Sequence, residues 1–240
     1  MNTYTKDYRV SYTDADMNRR LRVSRLFTLL QEASMTHAAM LGLGDDKTLD
    51  AGILWIVTLQ QAAVTRMPVY DENIRIETWP GKVRHFLFPR YYRITDTEGS
   101  TLIEASSFWA LMDENTRRVV FPGQRGVVPA DAEEEKTIPL PVSPEAPRTD
   151  TVGTFTVPLS YVDLNGHMNN TRYFDLAEDR IPEAFRSREI RLIRSEYARE
   201  ARLDAELALK CETVGDTFLL AGENDGKKLF KVSLTYAPES

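Results

Sequence analysis

The sequence predicts an α+β chain made of two copies of one unit, each a strand, a helix and four further strands. Three observations carry this. The same element order is read twice along the chain, the two readings share residues at a constant offset of 147, and a proline-rich stretch separates them.

Tyr4, Tyr8, Val10 and Tyr12 mark the first strand. Leu26, Leu30, Ala33, His37 and Leu41 then recur at three- and four-residue steps, predicting a helix with Ser24 as N-cap and Gly42 as stop. Phe27, Leu29, Met35 and Met40 add apolar bulk beside that stripe, so the helix is expected to be buried on most of its circumference. Strand patterns follow over 53–67, 73–83, 86–95 and 102–113. Ile74, Ile76 and Thr78 alternate with Arg75, Glu77 and Trp79, as in a sheet with one covered face, and Gly99 sits in a hairpin turn over 96–100.

Six prolines (122, 129, 139, 141, 144, 147) and the acidic run 133–135 then erase every period. This gives an N-terminal domain over 1–121, a linker over 122–152 and a C-terminal domain over 153–240. The second unit has a strand near Thr154, a helix from about Thr171, and strands over 190–200, 203–213, 218–221 and 229–236.

With Asp16 set against Asp163, Tyr8 falls on Phe155, Val10 on Val157, Asn18 on Asn165, Leu21 on Met168, Ser24 on Thr171 and Phe27 on Phe174. Equal spacing in the same element order makes duplication a better account than chance. The copies diverge at one place: Arg20 stands where the second copy has His167, and Arg22 and Val23 where it has Asn169 and Asn170.

Composition narrows the function. With 30 basic and 36 acidic side chains the formal charge is −6, which argues against nucleic acid as the main partner. Cys211 is the single thiol, so no intrachain disulfide forms and a reducing compartment is expected. MNTYTKDYRV shows no apolar run behind a basic start, and no stretch of about 18 uncharged apolar residues follows. The expectation is a soluble, cytoplasmic protein with no membrane insertion; a homodimer is left open.

The second copy holds the chemistry. Asp163, Asn165 and His167 follow at steps of two, which in extended chain points all three side chains to one side. Gly166 permits a tight turn, and the helix that follows directs its free amides at the same region. A His, a carboxylate, the amides of Asn165, Asn169 and Asn170, and a helix start suit a carbonyl substrate; equally, Asn169 or Asn170 simply caps the helix. A calcium loop beginning at Asp163 would end at Phe174, which has no carboxylate. His37 and His85 are remote in sequence from His167, so no transition metal is expected, and no nucleophile elbow, phosphate loop or dinucleotide motif is present, so no cofactor is expected.

The run Asp163-Leu-Asn165-Gly-His167-Met-Asn169-Asn170-x-x-Tyr173 resembles the signature of acyl-acyl-carrier-protein thioesterases, the plant plastid enzymes and their bacterial relatives. Trp55-Ile-Val-Thr58, Arg66-Met-Pro68, Glu77-Thr-Trp-Pro-Gly81, Ser107-Phe-Trp-Ala-Leu-Met-Asp113 and Ser195-Glu196-Tyr197-Ala-Arg199-Glu200-Ala201 are similar to further motifs of that family. The resemblance implies a tandem double hotdog, each long helix wrapped by an antiparallel sheet. It implies hydrolysis of acyl-carrier thioesters, with acyl carrier protein as partner and catalytic roles for Asp163, Asn165, His167 and Glu200. Relatives often carry Cys where this chain has Ala201, so attack here must be by water.

On that footing Glu200 is expected to be the general base, with His167 as the alternative, and Asp163 or His167 placing the water. Asn169 and Asn170 are expected against the substrate. The acyl tail, each methylene worth roughly 0.8 kcal/mol on burial, is expected in the first half beside Leu30, Ala33 and Trp55. Arg172, Arg194, Arg199 and Arg202 are candidates for docking the acidic carrier. An acyl-coenzyme A thioesterase, a hydratase of the same fold and a non-catalytic carrier-binding module remain alternatives.

Overall fold

Period-two alternation buries Ile74, Ile76 and Thr78 on one face of their strand while Asn73 and Arg75 face outward. The same logic runs through the chain, which a computed structural model describes at residues 3–44, 48, 50–124, 132 and 135–239. The first half comprises β1 (Tyr4–Arg9), α1 (Val23–Met40), β2 (Ile53–Val64), β3 (Asn73–Pro80), β4 (Leu87–Thr95), β5 (Thr101–Asp113) and β6 (Val119–Val120). The second comprises β7 (Gly153–Thr156), α2 (Arg172–Glu178), β8 (Ile190–Tyr197), β9 (Glu206–Val214), β10 (Thr217–Asn224) and β11 (Lys227–Tyr236).

All strands join one antiparallel sheet in the order β1-β3-β4-β5-β2-β8-β11-β10-β9-β7, with β6 beside β5. The second five repeat the first five in mirror order. The halves are stitched by β2 and β8, in register from Leu59↔Glu196 to Ala63↔Leu192.

The duplication persists in the hydrogen bonds. Asp16 N donates to Arg20 O at 2.8 Å and Asp163 N to His167 O at 2.9 Å; Leu21 N donates to Pro68 O and Met168 N to Ala201 O, both at 2.8 Å. Arg19 and Gly166, also equivalent, both take positive φ, 63° and 78°. Phe27 and Phe174 are counterparts as well, and their rings stack on each other at 4.3 Å and 12°. They lie in one continuous core that α1 and α2 share.

The structure corrects several expectations. Helix α1 begins at Val23 with Arg22 as N-cap; Ser24 is buried inside the first turn and caps nothing. A tertiary partner replaces the cap, since Val23 N donates to Glu178 Oε1 of the other half at 3.4 Å. Gly42 does end the helix, at φ 76°. Burial covers most of the first turns, but Met35 and Met40 are exposed. The second helix is not long: α1 has 18 residues and α2 has 7. Pro182 lies four residues beyond α2 and biases Ile181 away from helical backbone.

The described residues of 122–152 hold no α-helix and no strand, yet they are tied down. Pro129, Glu133 and Glu134 lie outside the described residues. Ser106 Oγ donates to Pro139 O, Lys231 Nζ to Ser143 Oγ, and Thr149 Oγ1 to Cys211 O. The segment therefore straps the sheet from β5 to β9.

Glu178 offers a test of this packing. Burial pushes its carboxyl up to about 7, against the Val23 amide that favours the ionised form. Its counterpart in α1 is Gln31. Because the unfolded chain ionises Glu178 near its ordinary value while the fold holds the proton, its contribution to stability falls as pH rises through that window and levels off above about 7. Glu178→Gln should therefore gain stability over the parent between pH 5 and 8, by up to about 3 kcal/mol. Denaturant titrations at both pH values check this; a difference independent of pH contradicts it.

Candidate active site

Two loops of the second half build the site. The first, 163–169, is not extended as its spacing suggested: it closes a tight turn in which Gly166 N donates to Asp163 O at 3.0 Å and Asp163 N to His167 O at 2.9 Å. Asp163 Oδ1 also accepts from Asn165 N at 2.9 Å. The second loop follows β8. Glu200 stands on it, beyond the strand end at Tyr197 rather than within the strand. The Met168–Ala201 bond and a bridge between His167 and Arg202 clamp the loops together.

The clamp brings His167 Nε2 to 3.0 Å from Glu200 Oε2. With the carboxylate ionised, this contact requires the imidazole proton on Nε2. Burial pushes the imidazole pKa down; Glu200 and Asp163 pull it up, while Arg117 and Arg202 act with burial. His167 is buried, whereas 32% of the Glu200 side chain remains exposed to solvent. A neutral imidazole beside a solvent-touching carboxylate can place and deprotonate water.

Two cavities meet here, and both are lined by Asp163, Asn165, Leu54 and Trp55. The larger, about 470 Å³, contains His167, Asn170, Arg199, Glu200 and Arg202. The smaller, about 180 Å³, runs into the first half between α1 and the sheet, past Met35, Ala38, Leu41, Ile53, Phe88 and Trp109. The cavity of the second half is thus the roomier of the two, and it is the one that carries the charged side chains.

The residues expected at the site divide accordingly. Asp163, Asn165, His167 and Glu200 are brought together, and Trp55 lies at the junction with its indole Nε1 donating to Leu43 O at 3.1 Å. Leu30 and Ala33 line neither cavity; they are fully buried in the core against the sheet. The cavity takes the adjacent face of α1, through Gln31, Ser34, Met35 and Ala38. Asn169 borders the smaller cavity, and just ahead of α2 its Oδ1 accepts from Thr171 N at 2.9 Å and Thr171 Oγ1 at 2.8 Å. Its carbonyl takes the Arg172 amide as well, so these helix-start amides are not free for a ligand. Asn170 faces the larger cavity and its carbonyl accepts from Tyr197 Oη at 2.9 Å.

Of the four arginines, Arg199 and Arg202 line the larger cavity. Arg172 is paired with Asp175 at 3.0 Å and Arg194 Nε donates to Gln61 at 2.8 Å across the β2–β8 seam, and neither lines a cavity; Arg199 Nη1 also donates to Lys228 O at 3.3 Å. Sequence reasoning missed Arg117 and Gln31. Arg117 follows a turn signal after Asp113, but its partner Glu200 is 83 residues away, a distance no local pattern spans. Cys211 lies on β9, lines neither cavity, and has its thiol pKa raised by burial. Among the described residues no group of three His, Cys, Asp or Glu is placed to hold a metal, and no helix is long and apolar enough to cross a membrane.

A paired helix-on-sheet fold with a His–carboxylate site in one copy defines the class. Residues 1–121 match the model of the acyl-ACP thioesterase N-terminal domain and residues 145–235 that of the C-terminal domain, so the chain belongs to the acyl-ACP thioesterase family. It is 26% identical over 224 residues to an acyl-[acyl-carrier-protein] hydrolase, chloroplastic, of Cuphea viscosissima, covering 85% of this chain and 53% of that one. It is 28% identical over 194 residues to the dodecanoyl-[acyl-carrier-protein] hydrolase of Cinnamomum camphora, covering 74% and 51%. The chain thus spans about half the length of these curated relatives. Its fold matches an acyl-ACP thioesterase from Bacteroides thetaiotaomicron with TM-score 0.87, 23% identity and 98% of each chain covered. The 12:0-ACP thioesterase from Umbellularia californica matches at TM-score 0.83 and 19% identity, over 99% of this chain and 98% of that one.

Gly166 tests the loop geometry. A Cβ there meets nothing within 4 Å, so only the left-handed backbone opposes substitution. Gly166→Ala should cost about 1 kcal/mol in a denaturant titration, and Gly166→Asn less, since Asn tolerates that region. Equal stability of all three proteins would contradict the turn as described.

Proposed function

We propose that the chain hydrolyses fatty acyl thioesters of acyl carrier protein, releasing the free acid. One observation carries the reading beyond family membership: the 3.0 Å contact of His167 Nε2 with Glu200 Oε2 lines the cavity that holds the charged side chains, and this cavity adjoins a more apolar one through Leu54, Trp55, Asp163 and Asn165. An acyl thioester has that division of character.

In this reading Glu200 is the general base. Water reaches its exposed flank, His167 and Asp163 orient that water, and the hydroxide equivalent attacks the thioester carbonyl. Asn165 and Asn170 are the proposed donors to the oxyanion, in place of the amides that Asn169 already occupies. The carbon–sulfur bond then breaks, and the thiolate takes the proton held on Glu200. A thiol of pKa near ~8.5 leaves with little help, so no acyl-enzyme is required. The tail lies in the first-half cavity along Met35, Ala38, Leu41 and Phe88. Arg199 and Arg202 at the mouth receive the acidic carrier, whose approach is then weakened by salt. A cytoplasmic location is proposed on the strength of the one unpaired thiol.

Turnover of acyl-carrier substrates tests the reading. Glu200→Gln, which keeps shape but removes the base, should lower kcat by roughly 100- to 10,000-fold without unfolding, while Cys211→Ser keeps the parent's rate. Parental turnover in the Gln variant, or an acyl adduct on Cys211, overturns the mechanism; turnover of coenzyme A thioesters alone overturns the carrier.

The tail's position is read separately. Ala38→Phe should shift the chain-length profile to shorter acyl groups while short-chain rates stay within about twofold. Leu30 and Ala33, packed in the core, should instead report on stability, with Leu30→Ala costing roughly 2–5 kcal/mol. A profile unmoved by Ala38→Phe and by Met35→Trp places the tail elsewhere.

A further inference from the structure

The turn between β5 and β6 is built to project one side chain. Asp113 Oδ1 accepts from Asn115 N at 3.1 Å, Thr116 N at 2.7 Å and Thr116 Oγ1 at 3.0 Å. Asp113 also exchanges backbone bonds with Arg117 N and Arg118 O at 2.9 and 2.8 Å. The result is a non-glycine residue, Arg117, held at φ 54°. Such backbone costs about 1–2 kcal/mol and persists only where surrounding bonds over-determine it. From that turn Arg117 Nη1 reaches across to the other half and meets Glu200 Oε1 at 3.1 Å.

The two oxygens of Glu200 are thereby divided: Oε1 to Arg117, Oε2 to His167. Rotation of the carboxylate, which would break the imidazole contact, is opposed by a guanidinium anchored on a different domain. With side chains 35% and 32% exposed, the pair sits in a screened setting where ion pairs contribute only about 0–1 kcal/mol to stability. The reach of Arg117 to Glu200 is thus poorly explained by folding energy.

We propose that Arg117 is a positioning residue of the hydrolytic site, supplied by the first half, which fixes the Glu200 carboxylate so that it faces both His167 and the incoming water. The proposal rests on the hydrolase reading for its kinetics, but not for its spectroscopic signature. The charged groups facing His167 are Glu200, Asp163, Arg117 and Arg202. Removing the Arg117 cation leaves both carboxylates and one arginine, so the imidazole should hold its proton to higher pH.

The test compares the parent with Arg117→Gln, Arg117→Lys and, as control in the same turn, Arg118→Gln. Histidine NMR titration is tractable because the chain has three histidines. The expected result is an upward shift of the His167 titration in Arg117→Gln, its absence in Arg118→Gln, and partial return in Arg117→Lys, whose point charge lacks the planar fork. In kinetics, Arg117→Gln should lower kcat about tenfold or more on a carrier-bound and on a small uncharged thioester alike, with KM little changed and the acid limb of the pH profile moved upward.

An unmoved His167 titration with unchanged kcat overturns the proposal. So does a loss confined to KM for carrier-bound substrate, which would make Arg117 a docking residue. A parent that turns over no thioester defeats the hydrolase reading instead, and the NMR shift still decides whether Arg117 governs the pair.

Discussion

The contact between His167 and Glu200 is the interaction on which the rest of the structure converges. Neither residue lies in a regular element, so its geometry depends on what holds the two loops. The 163–169 turn rests on the strand-to-helix junction, and the 198–202 segment rests on the end of β8 and the Met168–Ala201 bond. Behind β8 stands β2 of the other half, and behind α2 stands α1 through the Phe27–Phe174 stack. A 3.0 Å contact between two loop residues is therefore underwritten by the core that both halves share.

Duplication lets the two halves diverge at equivalent positions. Pro68 and Ala201 occupy the same place in the hydrogen-bond pattern, which sets Met67 opposite Glu200, and Arg20 opposite His167. In the first half, therefore, an apolar side chain and a cation replace the pair. Arg20 now ties the halves together, donating to Arg188 O at 2.7 Å and Ser187 O at 3.1 Å. Glu178 Oε1 occupies the helix-start amide that the fold would otherwise leave to water or a ligand. The first half holds the more apolar cavity, and its Arg117 reaches Glu200 of the second at 3.1 Å.

Much of this was legible in the sequence because it is local. Alternation locates the strands, Gly42 and Gly99 mark turns, and the constant offset exposes the repeat. The family motif singled out Asp163, Asn165, His167 and Glu200. What was not legible is what distant parts of the chain decide. Ser24 reads as a cap, but the Glu178 carboxyl group of the other half meets that helix start. Leu30 and Ala33 read as pocket because they are apolar, and for that reason they went to the core. The cavity face carries Gln31 and Ser34, which look like surface. Pro182, four residues beyond α2, is the local signal for the short second helix.

The most direct test of the account is a single turnover of an acyl-carrier thioester by excess enzyme in oxygen-18 water. Direct attack by water deprotonated at Glu200 predicts that the first acid released carries one heavy oxygen and that peptides containing Glu200 remain unlabelled. Unlabelled first-turnover acid, with the heavy oxygen recovered in Glu200, would show that the carboxylate attacks the thioester itself and would contradict its role as base.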